Sequence, residues 1–147
     1  MPEIQRISRE EARAGAAKAA EVLAEEPSVR LIFLFGSAAG DEGADRVRDA
    51  DLAVLIDPEP DIETWNRLEV AAARAAAIPL DLVPLHRATI VLAREVAATG
   101  RCLFARTPEE ETDFVVDANR KYLDFKYYLD EQFRLTGERA AARAQGG

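Results

Sequence analysis

The sequence contains few of the residues that build disulfide-stabilised or cysteine-bound metal proteins. Its only cysteine is Cys102, which excludes an intramolecular disulfide and a metal site made of cysteines. The first residues, MPEIQRISREE, lack the apolar core of a signal peptide, and no uninterrupted apolar run approaches the roughly 18 residues that a membrane span needs. We therefore expect a cytoplasmic protein without a membrane partner.

Basic residues are also scarce relative to acidic ones. The chain has 19 lysines and arginines against 27 aspartates and glutamates, which gives a formal net charge of -8. Such a surface repels the phosphate backbone of nucleic acids, so nucleic acid is not an expected partner. A chain of 147 residues, 48% of them hydrophobic, is long enough for one core. We predict a single domain over residues 1–137 and a frayed tail over residues 138–147.

Four short apolar segments, rich in branched and aromatic side chains, are predicted to be strands. The first ends at a glycine, the second ends at prolines, and the third is bracketed by prolines, which limits each to the length of a strand. We expect the fourth to lie at the periphery of the sheet. In chain order the segments are VRLIFLF (29–35), ADLAVLI (50–56), IPLDLVPL (78–85) and RCLFA (101–105).

Helical periodicity fills the gaps between these strands. Ser8 with Glu11, and Thr107 with Glu110, have the spacing of a capping box at a helix N-terminus. We expect most aromatic residues of the last helix to pack against the core. Strands that alternate with helices indicate an α/β (or α+β) domain with a central sheet covered by helices. The predicted helices cover about residues 9–25, 61–77, 88–98 and 108–135 or beyond.

Two carboxylates stand at the start of the second apolar segment. Side chains two residues apart on a strand point to the same face, so Asp49 and Asp51 should project together. Like charges held so close favour a bound cation, and magnesium binds through one or two carboxylates together with substrate phosphates. Gly36 and Ser37 follow the first segment, where glycine lets a ligand approach the backbone and a serine hydroxyl can donate to phosphate oxygens. These four residues predict a metal and nucleotide site.

Asp81 is the third acid of this candidate site. Leucines flank it within an apolar segment, where an unpaired buried carboxylate costs several kcal/mol. A cation shared with Asp49 and Asp51 would remove that cost, and three such carboxylates suit phosphoryl or nucleotidyl transfer. Simpler interpretations stay open, namely a turn-forming role for Asp49 or Asp51, an arginine partner for Asp81, and a helix cap at Ser37.

The combined pattern resembles the nucleotidyltransferase superfamily related to DNA polymerase beta. It consists of Gly36-Ser37, a spacer of eleven residues, Asp49-Ala50-Asp51 leading into an apolar strand, and a later isolated aspartate in a strand. The short chain is similar to the minimal nucleotidyltransferases, in particular the MntA-type adenylyltransferase antitoxins that accompany HEPN-domain (HepT) toxins. The motif match covers roughly residues 31–85. The resemblance implies a nucleotidyltransferase fold with a central mixed sheet of about four strands and a long C-terminal helix.

The resemblance also implies a role for each motif residue. Gly36 and Ser37 would hold the triphosphate of ATP. Asp49 and Asp51 would ligate Mg²⁺. Asp81 would complete the metal site and help to activate the acceptor hydroxyl.

The sequence departs from the pattern of the superfamily after the Gly-Ser pair and in the middle of Asp-x-Asp, where Ala50 replaces a larger apolar residue. Many relatives carry an arginine just after the Gly-Ser pair, whereas Ala38 and Ala39 stand here. Arg46 or Arg48 is a candidate to supply the missing positive charge.

By this resemblance the protein is expected to be a Mg-dependent adenylyltransferase. It would move AMP from ATP to a hydroxyl group, expected to be a tyrosine, of a cognate HEPN toxin and so silence that toxin. One alternative is nucleotide transfer to a small molecule such as an aminoglycoside, for which no added substrate-binding domain is evident. Another is a non-catalytic antitoxin that neutralises its partner by binding through the long C-terminal helix. The three acids count against the non-catalytic alternative, while the missing arginine favours it.

Overall fold

Helices alternate with strands along residues 5–41, 43 and 45–146, the part of the chain that this computed structural model describes. Short 3₁₀ turns follow two of the strands, at Gly36–Ala38 and at Leu85–Arg87. In chain order the elements are β1 (Ile7–Ser8), α1 (Arg9–Leu23), β2 (Val29–Phe35), β3 (Arg46–Val47), β4 (Ala50–Ile56), α2 (Ile62–Ala76), β5 (Leu80–Pro84), α3 (Ile90–Thr99), β6 (Arg101–Ala105) and α4 (Pro108–Gly146).

The central sheet has four strands in the order β5-β4-β2-β6. Strand β2 is antiparallel to both of its neighbours, and β4 and β5 are parallel, so the predicted mixed sheet is confirmed. The peripheral position predicted for the fourth segment is also confirmed, because β6 is an edge strand. A second, two-stranded sheet pairs β1 with β3 and was not predicted. Two residues per strand are too few for an alternating pattern to show in the sequence.

Both faces of the sheet are covered, as the dense apolar strands predicted. Alternate residues of β2 point to opposite faces, with Ile32 and Leu34 toward α1 and α2 and with Leu31 and Phe33 toward α3 and α4. The ring of Phe33 lies 5.3 Å from that of Phe114 on α4. The chain therefore folds into three layers with the sheet in the middle.

Helix α1 is built from small residues because it packs very closely. A Cβ added at Gly15 would lie 2.6 Å from Cγ1 of Ile78, just after α2, so a larger residue would push α1 away. One half of each predicted capping box forms, since the amide of Glu11 donates to Oγ of Ser8 at 3.0 Å while the Ser8 hydroxyl, not its amide, donates to the Glu11 carboxylate. At the start of α4 the amide of Glu110 donates to Thr107 in the same way, at 3.3 Å.

Helix α4 extends well past the sheet. Its 39 residues span about 58 Å, whereas a seven-residue strand spans only about 23 Å. For this reason the expected core packing of its aromatics is wrong at Tyr128 and Phe133, which are 58% and 73% exposed. The helix continues to Gly146, and the frayed tail over residues 138–147 stays a prediction, with Gly147 outside the described residues. Within the described chain, every helix is too short or too polar to cross a membrane.

Candidate metal and nucleotide site

The Gly-Ser turn and the first acids meet where β2 ends and β4 begins. Phe35, the last residue of β2, pairs with Asp51 across the antiparallel ladder, and Gly36 follows directly. Gly36 has a φ of 75°, and a Cβ on it would lie 2.5 Å from Oδ2 of Asp51. Glycine is thus required twice, by the backbone conformation and by the carboxylate packed against it.

Asp81 lies beside Asp51 on the neighbouring strand. The parallel pairing of β4 with β5 sets Asp51 opposite Asp81. Ala53 and Val83, two residues further along each strand, pack on the α3 and α4 side, so both carboxylates belong to that face. The structure therefore brings Asp51 and Asp81, two of the three predicted acids, to one end of one face.

The expected burial of Asp81 is wrong. Its side chain is exposed, because β5 is an edge strand with a sheet neighbour on one side only. No hydrogen bond or ion pair joins Asp81 to another residue of the described chain. An arginine partner, the simpler interpretation of this residue, is thus not found there.

Negative charge accumulates around Asp51. This half-buried carboxyl has its pKa raised to about 6, first by burial and then by the charges of Asp49, Asp81 and Glu95. Asp49 precedes β4 directly, and Glu95 comes from α3, which packs over this face of the sheet. The sequence analysis missed Glu95, because only the packing of α3 brings it near residues that are far away in the chain.

The donor set of this cluster suits a hard cation. Carboxylate oxygens are the ligands that Mg²⁺ prefers, and a cation would relieve the repulsion that raises the pKa of Asp51. The side chains are not yet in coordinating positions, since no three histidine, cysteine, aspartate or glutamate residues of the described chain lie close enough together to hold an ion. The acids are thus neighbours whose carboxylates would have to come closer together to share a metal.

Ser37 lies inside the 3₁₀ turn with its side chain exposed. The residue at the cap position of this turn is Phe35, so the interpretation of Ser37 as a helix cap is wrong. Its hydroxyl has no hydrogen bond to the rest of the described chain, which leaves it available to a ligand.

Arg46 and Arg48, the candidates to supply the missing positive charge, are not the arginines that hold the loop after Ser37. Arg46 donates to the carbonyl of Arg6 at 3.1 Å and so supports the small sheet, and Arg48 is exposed. The loop after Ser37 is instead held by Arg13 from α1 and Arg101 from β6. Neither residue carries a local sequence signal, because each is more than twenty positions from the loop it contacts.

The single histidine is far from the acids. His86 follows the other end of β5, faces Trp65 at 6.1 Å between ring centres, and has its pKa lowered by burial. It contributes to a cavity of about 760 Å³ between the end of β5, α3 and α4, whose lining includes Phe114, Asp117 and Lys121. None of the five predicted site residues lines this cavity.

Comparison with known proteins assigns the chain to a family. The polymerase beta nucleotidyltransferase family matches residues 17–109, which include the Gly-Ser turn and all three acids. The chain belongs to this nucleotidyltransferase family. Comparison with curated proteins gave no match.

The chain is similar in structure to three solved toxin–antitoxin systems that contain minimal nucleotidyltransferases or their relatives. An MntA–HepT complex has a TM-score of 0.63 and 26% identity, over 81% of this chain and 93% of that one. A tri-AMPylated HEPN toxin with MNT antitoxin from Shewanella oneidensis has a TM-score of 0.65 and 26% identity, over 82% and 93%. A toxin–antitoxin structure with AMP-PNP has a TM-score of 0.65 and 28% identity, over 78% and 91%. The expected similarity to MntA-type proteins is confirmed.

Proposed function

We propose that this chain is an antitoxin that transfers AMP from ATP to a hydroxyl group, expected to be a tyrosine, of a cognate HEPN toxin. The observation that carries the proposal is the pairing of Asp51 with Asp81 in register, with Gly36 packed against the carboxylate of Asp51. The similar structures support it, since one holds a tri-AMPylated HEPN toxin with its MNT antitoxin and another holds AMP-PNP.

The reaction requires a base at the acceptor hydroxyl. The acceptor oxygen forms a bond to the α-phosphorus of ATP, the bond from that phosphorus to the bridging oxygen breaks, and pyrophosphate leaves. Asp81 is exposed and unpaired within the described chain, so an incoming hydroxyl can reach it. We assign Asp81 the removal of the hydroxyl proton, which raises the nucleophilicity of the oxygen as it attacks.

Asp49, Asp51 and Asp81 would hold Mg²⁺ at this end of the sheet. The all-oxygen donor set fits that ion, and a cation lowers the energetic cost of keeping Asp51 ionised beside three other acids. When bound, the metal neutralises phosphate oxygens and the charge that develops during transfer. Magnesium dependence is thus part of the proposal.

Gly36 and Ser37 would contact the triphosphate. The absence of a side chain at Gly36 lets the turn lie against Asp51, which sets the phosphate donors next to the metal ligands. The exposed hydroxyl of Ser37 can donate to a phosphate oxygen. A cluster of acids repels ATP, so these donors and the metal together must make binding favourable.

A protein acceptor is favoured over a small molecule by the surface of α4. Large apolar side chains remain exposed on this helix, among them Leu123 at 63%, Tyr127 at 73% and Phe133 at 73%. Exposed apolar side chains grouped on one element are typical of a surface that binds another protein. The described residues form one sheet with its covering helices and one small accessory sheet, without a separate unit for binding a small acceptor.

Intact-mass analysis of the toxin tests this proposal. The HEPN toxin proposed as the cognate partner is incubated with the purified chain, ATP and Mg²⁺. We expect mass increases in steps of one AMP with the wild type and none with Asp51→Asn, because the variant weakens metal binding. Glu69→Gln, which also removes one negative charge and lies at an exposed position on α2, is the matched control and should modify the toxin normally.

Two other results would contradict the proposal. A toxin that is inhibited without any gain in mass would show an antitoxin that acts by binding alone. Equal modification by Asp51→Asn and the wild type would show that the acids are not the reaction centre.

A further inference from the structure

Two arginines from distant parts of the chain hold the loop that follows Ser37. Nε of Arg13, on α1, donates to the carbonyl of Ala38 at 2.8 Å, and its Nη2 donates to the carbonyl of Gly40 at 2.9 Å. Nε of Arg101, on β6, donates to the carbonyl of Ala39 at 2.6 Å. Both guanidinium groups also reach Oδ1 of Asp41, at 3.2 Å and 2.8 Å. We call Arg13, Arg101 and Asp41 the loop clamp.

The loop clamp is anchored in the most regular part of the fold. Arg13 lies next to Ala12, a fully buried residue of α1, and Arg101 pairs with Leu34 of the central strand β2. The pKa of Asp41 is lowered, first by its hydrogen bond from Arg13 and then by the charge of Arg101. The carboxylate therefore stays ionised and keeps both arginines on the loop.

The clamp also determines where the amide groups of the loop point. In a planar trans peptide the carbonyl and the following N–H point in opposite directions. Because the carbonyls of residues 38–40 face the arginines, the amides of residues 39–41 face away from them. The amide of Ala39 closes the 3₁₀ turn on the carbonyl of Gly36 at 3.1 Å. The amides of Gly40 and Asp41 have no partner within the described chain.

We propose that Arg13 and Arg101 are positioning residues that turn the amides of Gly40 and Asp41 toward the triphosphate of ATP. This inference rests on the proposed nucleotidyl transfer. Successive free amides form a concave site for anions, and the clamp adds a net charge of about +1 beside a cluster of acids. The charge that Ala38 and Ala39 do not supply would thus come from elements on either side of the loop.

Arg106 provides a matched control. It directly follows β6, whereas Arg101 begins that strand, and its Nη2 donates to the carbonyls of Ala24, Glu26 and Val29 at 3.0, 3.0 and 2.9 Å. It therefore makes the same kind of contact at the opposite end of the sheet. Loss of Arg106 should affect folding without affecting the nucleotide.

The test measures the loop and the nucleotide separately in R13Q, R101Q, R101K and R106Q. Without nucleotide, amide hydrogen exchange of residues 36–41 should be faster in R13Q and R101Q than in the wild type. The dissociation constant of AMP-PNP with Mg²⁺ should rise about tenfold or more, since each lost arginine removes charge-assisted hydrogen bonds. The KM for ATP should rise more than kcat falls, and R101K should recover only part of the affinity because it lacks the forked guanidinium.

The outcomes separate the inference from the proposed function. Unchanged AMP-PNP affinity in both R13Q and R101Q, or an equal loss in R106Q, would overturn the inference. Melting temperatures of the four variants show whether any has lost its fold, and R101K keeps the test valid if R101Q has. Failure of the wild-type chain to bind AMP-PNP would instead overturn the proposed function, and the inference with it.

Discussion

The two ends of the central sheet are built in opposite ways. At one end Asp51 and Asp81 lie side by side without a cationic partner in the described chain, next to a glycine with positive φ. At the other end Nε of Arg30 lies 2.5 Å from Oε1 of Glu110, and Arg106 donates to three backbone carbonyls. We call these the acid end and the arginine end.

The pKa shifts at the two ends have opposite signs. Burial and neighbouring acids raise the pKa of Asp51, so its ionised form opposes folding at neutral pH. The hydrogen bond from Arg30 lowers the pKa of Glu110, so its ionised form favours folding. The acid end thus holds carboxylates without a cationic partner in the described chain, whereas the carboxylate of Glu110 at the arginine end is paired with Arg30.

Replacing one acid at each end should give the largest difference in activity. Asp51→Asn is expected to lower AMP transfer by at least about 10²–10³-fold, because it removes a charge that serves the transition state through the metal. Glu110→Gln should leave transfer unchanged, since Glu110 lies at the arginine end. Rates measured at saturating ATP check both. Similar losses in the two variants would remove the functional distinction between the ends.

Replacing Gly36 with alanine should lower stability and AMP transfer more than replacing Gly40, another glycine of the same loop. Gly36→Ala forces a residue with a side chain to φ 75° and places its Cβ against Oδ2 of Asp51. We expect a loss of about 1–2 kcal/mol in the free energy of unfolding, together with reduced AMP transfer. Gly40→Ala is the control, because a Cβ there meets nothing within 4 Å. Denaturant unfolding of both variants checks this, and equal stability would contradict it.

The pH dependence of stability should report on Asp51. Its pKa is about 6 in the folded state against an ordinary value of 3.8, so the folded chain binds more protons between these values. The free energy of unfolding of the metal-free protein should therefore fall as pH rises from about 4 to 7, by up to about 1–2 kcal/mol after allowance for solvent screening.

Asp51→Asn isolates this contribution. The variant should be more stable than the wild type at pH 7 and should lose most of that advantage as the pH falls to about 4, and the rest below the ordinary pKa of 3.8, where the wild-type carboxyl is protonated in both states. Chemical denaturation across this range, without divalent metal, measures the difference. A constant difference at all pH values would mean that the raised pKa of Asp51 is not the cause.

The smallest effect is expected from the ion pair of the arginine end. The side chains of Arg30 and Glu110 are 30% and 28% exposed, so solvent still reaches the pair and screens it, which keeps its contribution to stability small. Glu110→Gln should lower the melting temperature slightly, and the difference from the wild type should shrink in high salt. A large, salt-independent loss would show that the Glu110 side chain acts instead through the hydrogen bond that it accepts from the Thr107 hydroxyl at 2.9 Å.

Features that depend on a local sequence pattern were predicted correctly from the sequence. The segments 29–35, 50–56 and 101–105 match three strands residue for residue, because continuous apolar runs bounded by glycine or proline allow little else. The spacing of the motif also placed Gly36 beside Asp51.

Features that depend on long-range packing were missed or wrong. Glu95, Arg13 and Arg101 reach the site only through the positions of α3, α1 and β6, which no local pattern encodes. The exposure of Asp81 was mispredicted because flanking leucines do not show whether a strand lies at an edge. The roles of the five motif residues stay predictions until they are tested by substitution.

Crystallography of the chain with Mn²⁺ and AMP-PNP tests the central claim most directly. Anomalous scattering locates manganese, which binds the same oxygen ligands as magnesium. We predict a peak bounded by Asp49, Asp51 and Asp81, with the triphosphate lying along Gly36 and Ser37. Manganese bound elsewhere on the protein, or a nucleotide seated away from this end of the sheet, would contradict the account.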